Sequence, residues 1–554
     1  MFIKLSRYFH TLRYLRPIQI YGRLWQRVYK PSVNERPAPR VRECSHSVTS
    51  WLERSRSMLD EQTFCFLNMK HKVSSANDWD NAAHLKLWRY NLHYFDDFNA
   101  NGADARIQWH QALIARWITE NPAGKGTAWE PYPTSLRIVN WIKWAFRNNA
   151  EGRQGLASEA CNSLAIQARW LTKRLEVHLL GNHLWANAKA LVFAGIFFEG
   201  PEAEHWLEQG CSILNEEIVE QILEDGGHFE RSPMYQGTLL EDILDVIHLI
   251  KLFPEAFNQL LTIEYLQGIA LRMLEWLRLM SHPDGKISFF NDAAFEIAPI
   301  YEQLKDYAKR LTIQVKESSQ QGVRVLADSG YIRLENGHAV VISDVGPVGP
   351  DYLPGHAHAD TLSFEFSLGE QRVFVNSGTS EYVTGAERLR QRSTSAHNTV
   401  EVDKQNSSDV WGAFRVARRA RPTLLRAEEQ DKELYVLGLH DGYQRLPGRV
   451  THTRQWQLSE GCLVVTDSLQ GKWKSAVARF YLHPAINVKC MESKEGGKGT
   501  LYLNEGREIH FEAERGEVRI IESTWHPEFG RSVEAQCIEI RMHDPQLVTK
   551  FFWE

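Results

Sequence analysis

No run in the 554 residues approaches the roughly 20 consecutive apolar residues that a bilayer-spanning helix needs, so no helical membrane span is expected. The stretch from Met1 to Pro17 is basic, but no uninterrupted apolar segment follows it, and it does not read as a secretory signal. The expected location is the cytoplasm, with the periplasm left open. Cysteine is scarce. The seven present (Cys44, Cys65, Cys161, Cys211, Cys462, Cys490, Cys537) are odd in number and never spaced Cys-x-x-Cys, which argues against a disulfide framework and a thiolate zinc site. Neither sign of charge is in excess: the net charge of −5 gives no support to general nucleic-acid binding. Internal repeats and low-complexity tracts are absent. What remains is an ordinary globular composition, 43% hydrophobic and 24% charged, in a chain long enough for two or three domains.

The hydrophobic period changes once. Up to about residue 320, apolar residues recur at three- and four-residue spacing in Leu136–Phe146, Leu164–Leu180, Leu184–Phe198, Leu239–Leu252 and Leu260–Met280, with short Gly- and Pro-containing links. This predicts antiparallel helix pairs, as a bundle or a ring of hairpins. From about residue 323 the period is two. Tyr331–Leu334 turns at Asn336-Gly337 into Ala339–Ile342, and Leu362–Leu368 turns at Gly369-Glu370 into Arg372–Val375. Further runs over Leu434–Leu437, Cys462–Thr466, Ala476–Leu482, Thr500–Leu503, Val518–Ile521 and Ile538–Met542 predict an antiparallel sandwich. The join falls in the polar stretch 312–325. The chain divides into a basic helical extension (1–80), a helical domain (81–320) and a strand domain (321–554). The amphipathic basic N-terminus reads as a helix packed on its own domain, with contact to a membrane surface as the alternative. Thirteen of the 18 tryptophans precede residue 320; they either line a sugar-binding cleft or pack between helices, and for most of them packing is the better reading.

Several stretches carry candidate chemistry. Gly355-His356-Ala357-His358-Ala359-Asp360 runs into Leu362, Phe364 and Phe366; if extended, these six side chains share one face, with the imidazoles at the start of a core strand. Gly181 can end one helix and Asn182 cap the next, with His183 and Asn187 on a shared face beside a helix N-terminus that favours an anion. In Asp225-Gly226-Gly227-His228-Phe229-Glu230-Arg231-Ser232-Pro233-Met234-Tyr235, Ser232 is a good N-cap and Pro233 a good first helical residue, which puts Tyr235 in the first turn. Arg137 is placed either to pair a substrate carboxylate or to pair Glu130. His358, His397 and an oxygen donor near Asn376 are candidate ligands for a divalent metal, imidazole favouring zinc. The basic runs Glu387–Arg392 and Arg415–Arg421 either attract a polyanion or are charged edges that block aggregation.

Together these stretches resemble the heparinase II/III-like polysaccharide lyases. The motifs that carry the resemblance are Gly181-Asn182-His183-Leu184 with Asn187-Ala188-Lys189-Ala190, Asp225 through Glu230 to Tyr235, His282-Pro283-Asp284-Gly285, Gly355 through Asp360, and Arg392-Ser393-Thr394 with His397-Asn398-Thr399, in order over roughly residues 85–420. The resemblance implies an (α/α) toroid followed by an antiparallel β-sandwich, and β-elimination on a uronate-containing acidic polysaccharide. It implies that Asn182 holds the substrate carboxylate with Arg137 as a helper, that His183 or His356 takes or relays the C5 proton, and that Tyr235 protonates the departing oxygen or serves as both base and acid. Asn187, Glu230, Arg388 and Arg392 are the expected substrate-binding residues. No cofactor is required. In metal-binding relatives the matching ligand positions are His358, Asn376 and His397, but the usual Asp is Asn376 here. The absent secretory signal resembles members associated with exopolysaccharide or O-antigen assembly.

Three other readings stay open: a uronyl C5-epimerase, an inverting glycoside hydrolase using Glu130 with Asp225 or Glu230 at about 6.5–9.5 Å, and a non-catalytic glycan-binding protein. The sugar, its linkage and the oligomeric state are not legible in the sequence.

Overall fold

The computed structural model describes residues 2–43, 50–491 and 496–554; Cys44 lies outside the described residues. The six described cysteines are all free, and no helix among the described residues is long and apolar enough to cross a membrane. The chain is an α+β protein, with thirteen α-helices and several antiparallel sheets among the described residues.

The helices start where local chemistry lets them. Pro131, Pro201 and Pro233 occupy first-turn positions, where the missing N–H costs nothing. Ser232 caps the helix Pro233–Leu252 by accepting from the Tyr235 N–H, as its sequence predicts. The antiparallel helices Gly181–Phe197 and Pro201–Gln221 approach closely through two glycines. A Cβ on Gly195 would lie 2.6 Å from the Leu207 nitrogen, and one on Gly210 2.7 Å from the Ala188 oxygen. Ten of the thirteen tryptophans in this half are buried in core packing, so they are not the sugar platform.

An eight-stranded, a five-stranded and a four-stranded sheet form the second half. Their shared core includes Phe364 and Phe374 from the five-stranded sheet, Trp456 and Phe551 from the eight-stranded sheet, and Phe480 and Ile538 from the four-stranded sheet. Thr451–Ser459 and Cys462–Gln470 alternate between buried and half-buried residues, as one-sided strands do. The strands Ala339–Asp344 and Phe364–Leu368 are buried throughout. The five-stranded sheet has a second contact: Tyr331, Val340 and Ile342 pack against Trp276, Leu279, Met280 and Phe290 of the helical half. Each such buried side chain contributes about 1.5–3 kcal/mol, so this sheet cements the two halves.

Three sequence expectations need correction. Among the described residues of 1–80 the α-helices are Phe2–Leu12 and Pro17–Val28; after them come a hairpin at Thr63–Phe66 and Met69–Lys72 and a 3-10 helix at Ala76–Asp80. The helix expected to reach Leu180 ends at Thr172, so Gly181 terminates nothing: it opens the next helix after Leu180, which has φ 63°, and Asn182 lies in the first turn rather than at the cap. The segment 355–361 is a loop. Its strand begins at Phe364, after Leu362 at φ 62° breaks the two-residue alternation.

Candidate active site

The site is assembled around a residue that no sequence motif marks, Asp292. Its carboxylate is fully buried. Oδ2 accepts from His356 Nδ1 at 2.8 Å and from Arg388 at 2.7 Å. Oδ1 faces His358 Nε2 at 2.9 Å, accepts from the Thr379 hydroxyl at 3.2 Å, and takes a second bond from Arg388. Burial disfavours the charge, but Arg388 and the two imidazoles overcome it and hold the carboxyl well below the usual range. The backbone joins in, since Asp292 N–H donates to the His356 carbonyl at 2.9 Å.

This arrangement fixes the His356 ring. A carboxylate at Nδ1 puts the proton there and leaves the Nε2 lone pair on the side of Glu230. The ring lies 4.3 Å from the Tyr235 ring and 5.6 Å from that of Tyr382, and the two phenol oxygens are 3.1 Å apart. Burial raises both phenols well above the usual range, so both remain O–H donors. His356 Nε2 is 3.8 Å from Glu230 Oε2, which is buried and has no hydrogen-bond partner. Burial raises the Glu230 carboxyl from its ordinary value.

A second imidazole faces the cleft from the helical half. His183 Nδ1 contacts Glu176 Oε1 at 3.1 Å, and the ring lies 4.6 Å from that of Tyr132, tilted by 43°. Burial works against its charge, but Glu176, with Glu230 behind it, raises its pKa on balance. Gly181 sits against Glu230: a Cβ there would be 3.3 Å from Glu230 Oε1 and 2.5 Å from Leu353, on the loop that leads to His356. His183, Glu230, His356 and Tyr235 are therefore neighbours where the two halves meet. Asn182 is half-buried beside them, in the turn between Gly181 and His183.

The other expected residues are elsewhere, or hold the site from behind. Asn187 is fully buried. Its carboxamide accepts from the Glu176 N–H at 2.8 Å and donates to Glu176 Oε2 and Ser135, so it positions Glu176 and meets no substrate. Arg137 is buried against Gln167, the His93 carbonyl and Thr134, with its guanidinium 3.9 Å from the Trp117 ring; it reaches neither the cleft nor Glu130. Arg388 is sealed onto Asp292 rather than offered to a polyanion. Arg392 is likewise buried and donates twice to the Ala357 carbonyl, bracing the histidine loop. Among the carboxylates of the hydrolase reading, Glu130 pairs with Lys86 and Tyr90. Asp225 is occupied by Gly227, Asp328 and Ser329.

The candidate metal ligands also regroup. His358, Asp360 and His397 are buried with donor atoms within 4.8 Å of one another. The Asn376 carbonyl oxygen accepts from the Asn398 N–H at 3.3 Å. Burial pushes the His358 imidazole down to about 4 despite Asp292, so it is neutral. A neutral His358 giving Nε2–H to Asp292, and a neutral His397 giving Nδ1–H to the Ser393 carbonyl, turn two lone pairs toward each other at 3.1 Å. A cation relieves that contact, and the His2Asp donor set suits a divalent ion.

Sequence reasoning missed Asp292, Glu176, Tyr382 and the proximity of Asp360 to His358 and His397. Asp292 lies only seven residues beyond the His282–Gly285 motif, but nothing in its own neighbourhood marks it.

A family model described as "Heparinase II/III N-terminus" matches residues 23–314, and one described as "Heparinase II/III-like, C-terminal" matches residues 319–554. A heparin-sulfate lyase of Bacteroides stercoris is 29% identical over 259 residues, 42% of this chain and 38% of that protein. A heparin-sulfate lyase of Bacteroides thetaiotaomicron is 25% identical over 427 residues, 69% of this chain and 58% of that protein. The matches thus span less than two thirds of either lyase. FtsZ-localized protein C of Caulobacter vibrioides is 24% identical over 444 residues, 74% of this chain and 72% of that protein. A heparinase III crystal structure aligns with a TM-score of 0.67 at 20% identity, covering 88% of this chain and 79% of that one. A mutant of the heparan sulfate lyase HepC from Pedobacter heparinus aligns at 0.62 and 16%, covering 97% and 88%. At these identities the structural likeness concerns the fold.

Proposed function

The chain belongs to the heparinase II/III family, and on that premise we propose that it is a polysaccharide lyase that cleaves a uronic-acid-containing acidic polysaccharide by β-elimination. The observation that carries the reading is the Asp292–His356 pair, with the His356 ring 4.3 Å from that of Tyr235. The C5 proton of a uronate is very weakly acidic, so its removal needs the adjacent carboxylate neutralised. Asn182 and His183, whose pKa Glu176 raises, supply that from the helical side, with Glu230 beside them. His356 Nε2 takes the C5 proton while Asp292 stabilises the resulting imidazolium. Tyr235, kept protonated by burial and in contact with Tyr382, delivers a proton to the departing glycosidic oxygen. The bond from C4 to that oxygen breaks and a C4–C5 double bond forms.

His358, Asp360 and His397 would hold a divalent cation, zinc by the ligand types. Its contribution would be structural, locking the loop behind His356. The helix pairs and the three stacked sheets support the (α/α) toroid and β-sandwich that the family implies.

The test is a panel of uronate glycans, with exopolysaccharide and O-antigen material included because the sequence resembles members tied to their assembly. Appearance of ultraviolet-absorbing unsaturated ends with the wild type, and their loss in Tyr235→Phe, is the expected result. Saturated products would overturn elimination. A non-catalytic glycan-binding protein of an assembly machine is the second reading, and the match to FtsZ-localized protein C covers more of both chains than either lyase match above. That reading predicts saturable glycan binding without turnover.

A further inference from the structure

The two N-terminal helices are inside out. In Pro17–Val28 the residues turned to the protein are polar or minimal. Gln19 donates to the Tyr352 carbonyl at 3.1 Å, Gln26 donates to the Leu175 carbonyl at 3.2 Å, and a Cβ on Gly22 would lie 2.8 Å from that of His178. The apolar stripe Ile20, Leu24, Trp25 and Val28 faces away, each side chain more than half exposed and Val28 at 80%. The helix Phe2–Leu12 repeats the pattern. Arg7 pairs with Asp409, and Thr11 accepts from Trp411 Nε1, while Leu5, Phe9 and Leu12 point outward. The segment 5–30 contains no acidic residue. Arg13, Arg23, Arg27 and Lys30 on it are exposed and have no acidic partner among the described residues.

A globular protein does not leave two adjacent helices with their apolar faces outward unless something covers them. The helices have 11 and 12 residues. At about 1.5 Å per residue they are too short to cross a bilayer but suited to lie in its interface. An apolar stripe with Trp, flanked by unpaired Arg and Lys, is the composition an anionic membrane surface recognises. A second copy of the chain would set these cations against one another. We infer that the helix pair Phe2–Leu12 and Pro17–Val28 docks this protein on an anionic lipid surface. Docking also orients the crevice: Arg16 stacks at 3.7 Å on Tyr352, in the loop that leads to His356. The inference does not depend on the proposed activity.

The test is co-sedimentation of the full chain with phosphatidylcholine vesicles, with and without phosphatidylglycerol. The expected result is binding that requires phosphatidylglycerol and weakens with salt. The double variant Leu24→Asp, Trp25→Glu should lower it by about tenfold or more with the thermal midpoint unchanged. Arg23→Glu, Arg27→Glu serves as a second variant that leaves the apolar stripe intact, and it should lose the phosphatidylglycerol dependence. Wild-type protein that stays in the supernatant, or variants that sediment as well as wild type, would overturn the inference. So would a wild-type dimer in light scattering that Leu24→Asp, Trp25→Glu converts to monomer, since that gives the face to a second copy.

Discussion

Replacing Asp292 by asparagine keeps the shape of the central side chain and removes its charge. Its partners decide how the amide orients. On the Oδ1 side three groups seek an acceptor: Arg388, His358 Nε2 and the Thr379 hydroxyl. The amide oxygen therefore stays there, and the NH2 group replaces Oδ2 opposite His356 Nδ1. That nitrogen must then accept, so the His356 proton moves to Nε2 and the ring loses its lone pair on the side of Glu230. Product formation should fall roughly 10²–10⁴-fold, the usual contribution of a general base. Stability falls as well, because Arg388 is fully buried and keeps only part of its compensation. Breaking a buried pair costs about 3–5 kcal/mol, and the amide oxygen holds the loss near the lower figure, a drop of roughly 3 °C in thermal midpoint for a chain of 554 residues. Adding Arg388→Met separates the two effects. It removes the stranded cation and should restore part of the stability, while activity, read as unsaturated product, stays lost. If activity returns together with stability, or if the single variant turns over within a few-fold of wild type, Asp292 acts through the fold alone and the tautomer argument is wrong.

Tyr235→Phe removes a hydroxyl whose hydrogen-bond partner is Tyr382. Stability should change by no more than about 1 kcal/mol while turnover drops roughly 10²–10⁴-fold; a variant with full activity would take the acid role from Tyr235. The His183 pKa is raised in the folded protein, so the stability it contributes is fully present below the ordinary histidine value of about 6.5 and is lost as pH rises through the folded value. The gap in thermal midpoint between wild type and His183→Gln should be widest in mild acid and close toward alkaline pH; a gap that widens with pH contradicts the assignment. Zinc at a hundredfold excess over its Kd should stabilise the protein by about 2.7 kcal/mol, and His397→Ala should abolish the shift. A metal-induced shift that survives in that variant places the ion elsewhere.

The change of period near residue 320, the hairpin at Asn336-Gly337 and the capped helix that carries Tyr235 were legible because each depends on local patterning or on one cap. The loop 355–361 was misread as strand because alternation is a local signal, whereas the backbone there is set by Arg392 and Thr394, which bind the Ala357 and Ala359 carbonyls from another segment. The arginines were misread for a related reason. A sequence shows charge, not the partner that neutralises it, and Arg137, Arg388 and Arg392 are all buried in the fold. Asp292 stayed invisible because its importance comes entirely from segments up to 96 residues away in the chain.

The histidine loop has no strand ladder of its own, so polar bonds from both halves must hold it. The Asp292 N–H binds the His356 carbonyl, and Asn291 Oδ1 accepts from the His358 N–H at 3.0 Å. Asn291 takes the left-handed conformation, φ 58°, that lets these two neighbouring residues serve the loop together. Against this satisfied framework Glu230 Oε2 stands out as a buried cleft atom without a partner. Leaving such a group unpaired costs about 1–3 kcal/mol. A ligand hydroxyl, or a ligand carboxylate sharing Glu230's proton, removes that cost on binding. Water-filled and apolar occupants do so less well, because neither brings a fixed acidic group to the place where His183, Glu230 and His356 converge. The unpaired atom lies 3.8 Å from His356 Nε2, at the place where the uronate carboxylate is proposed to sit.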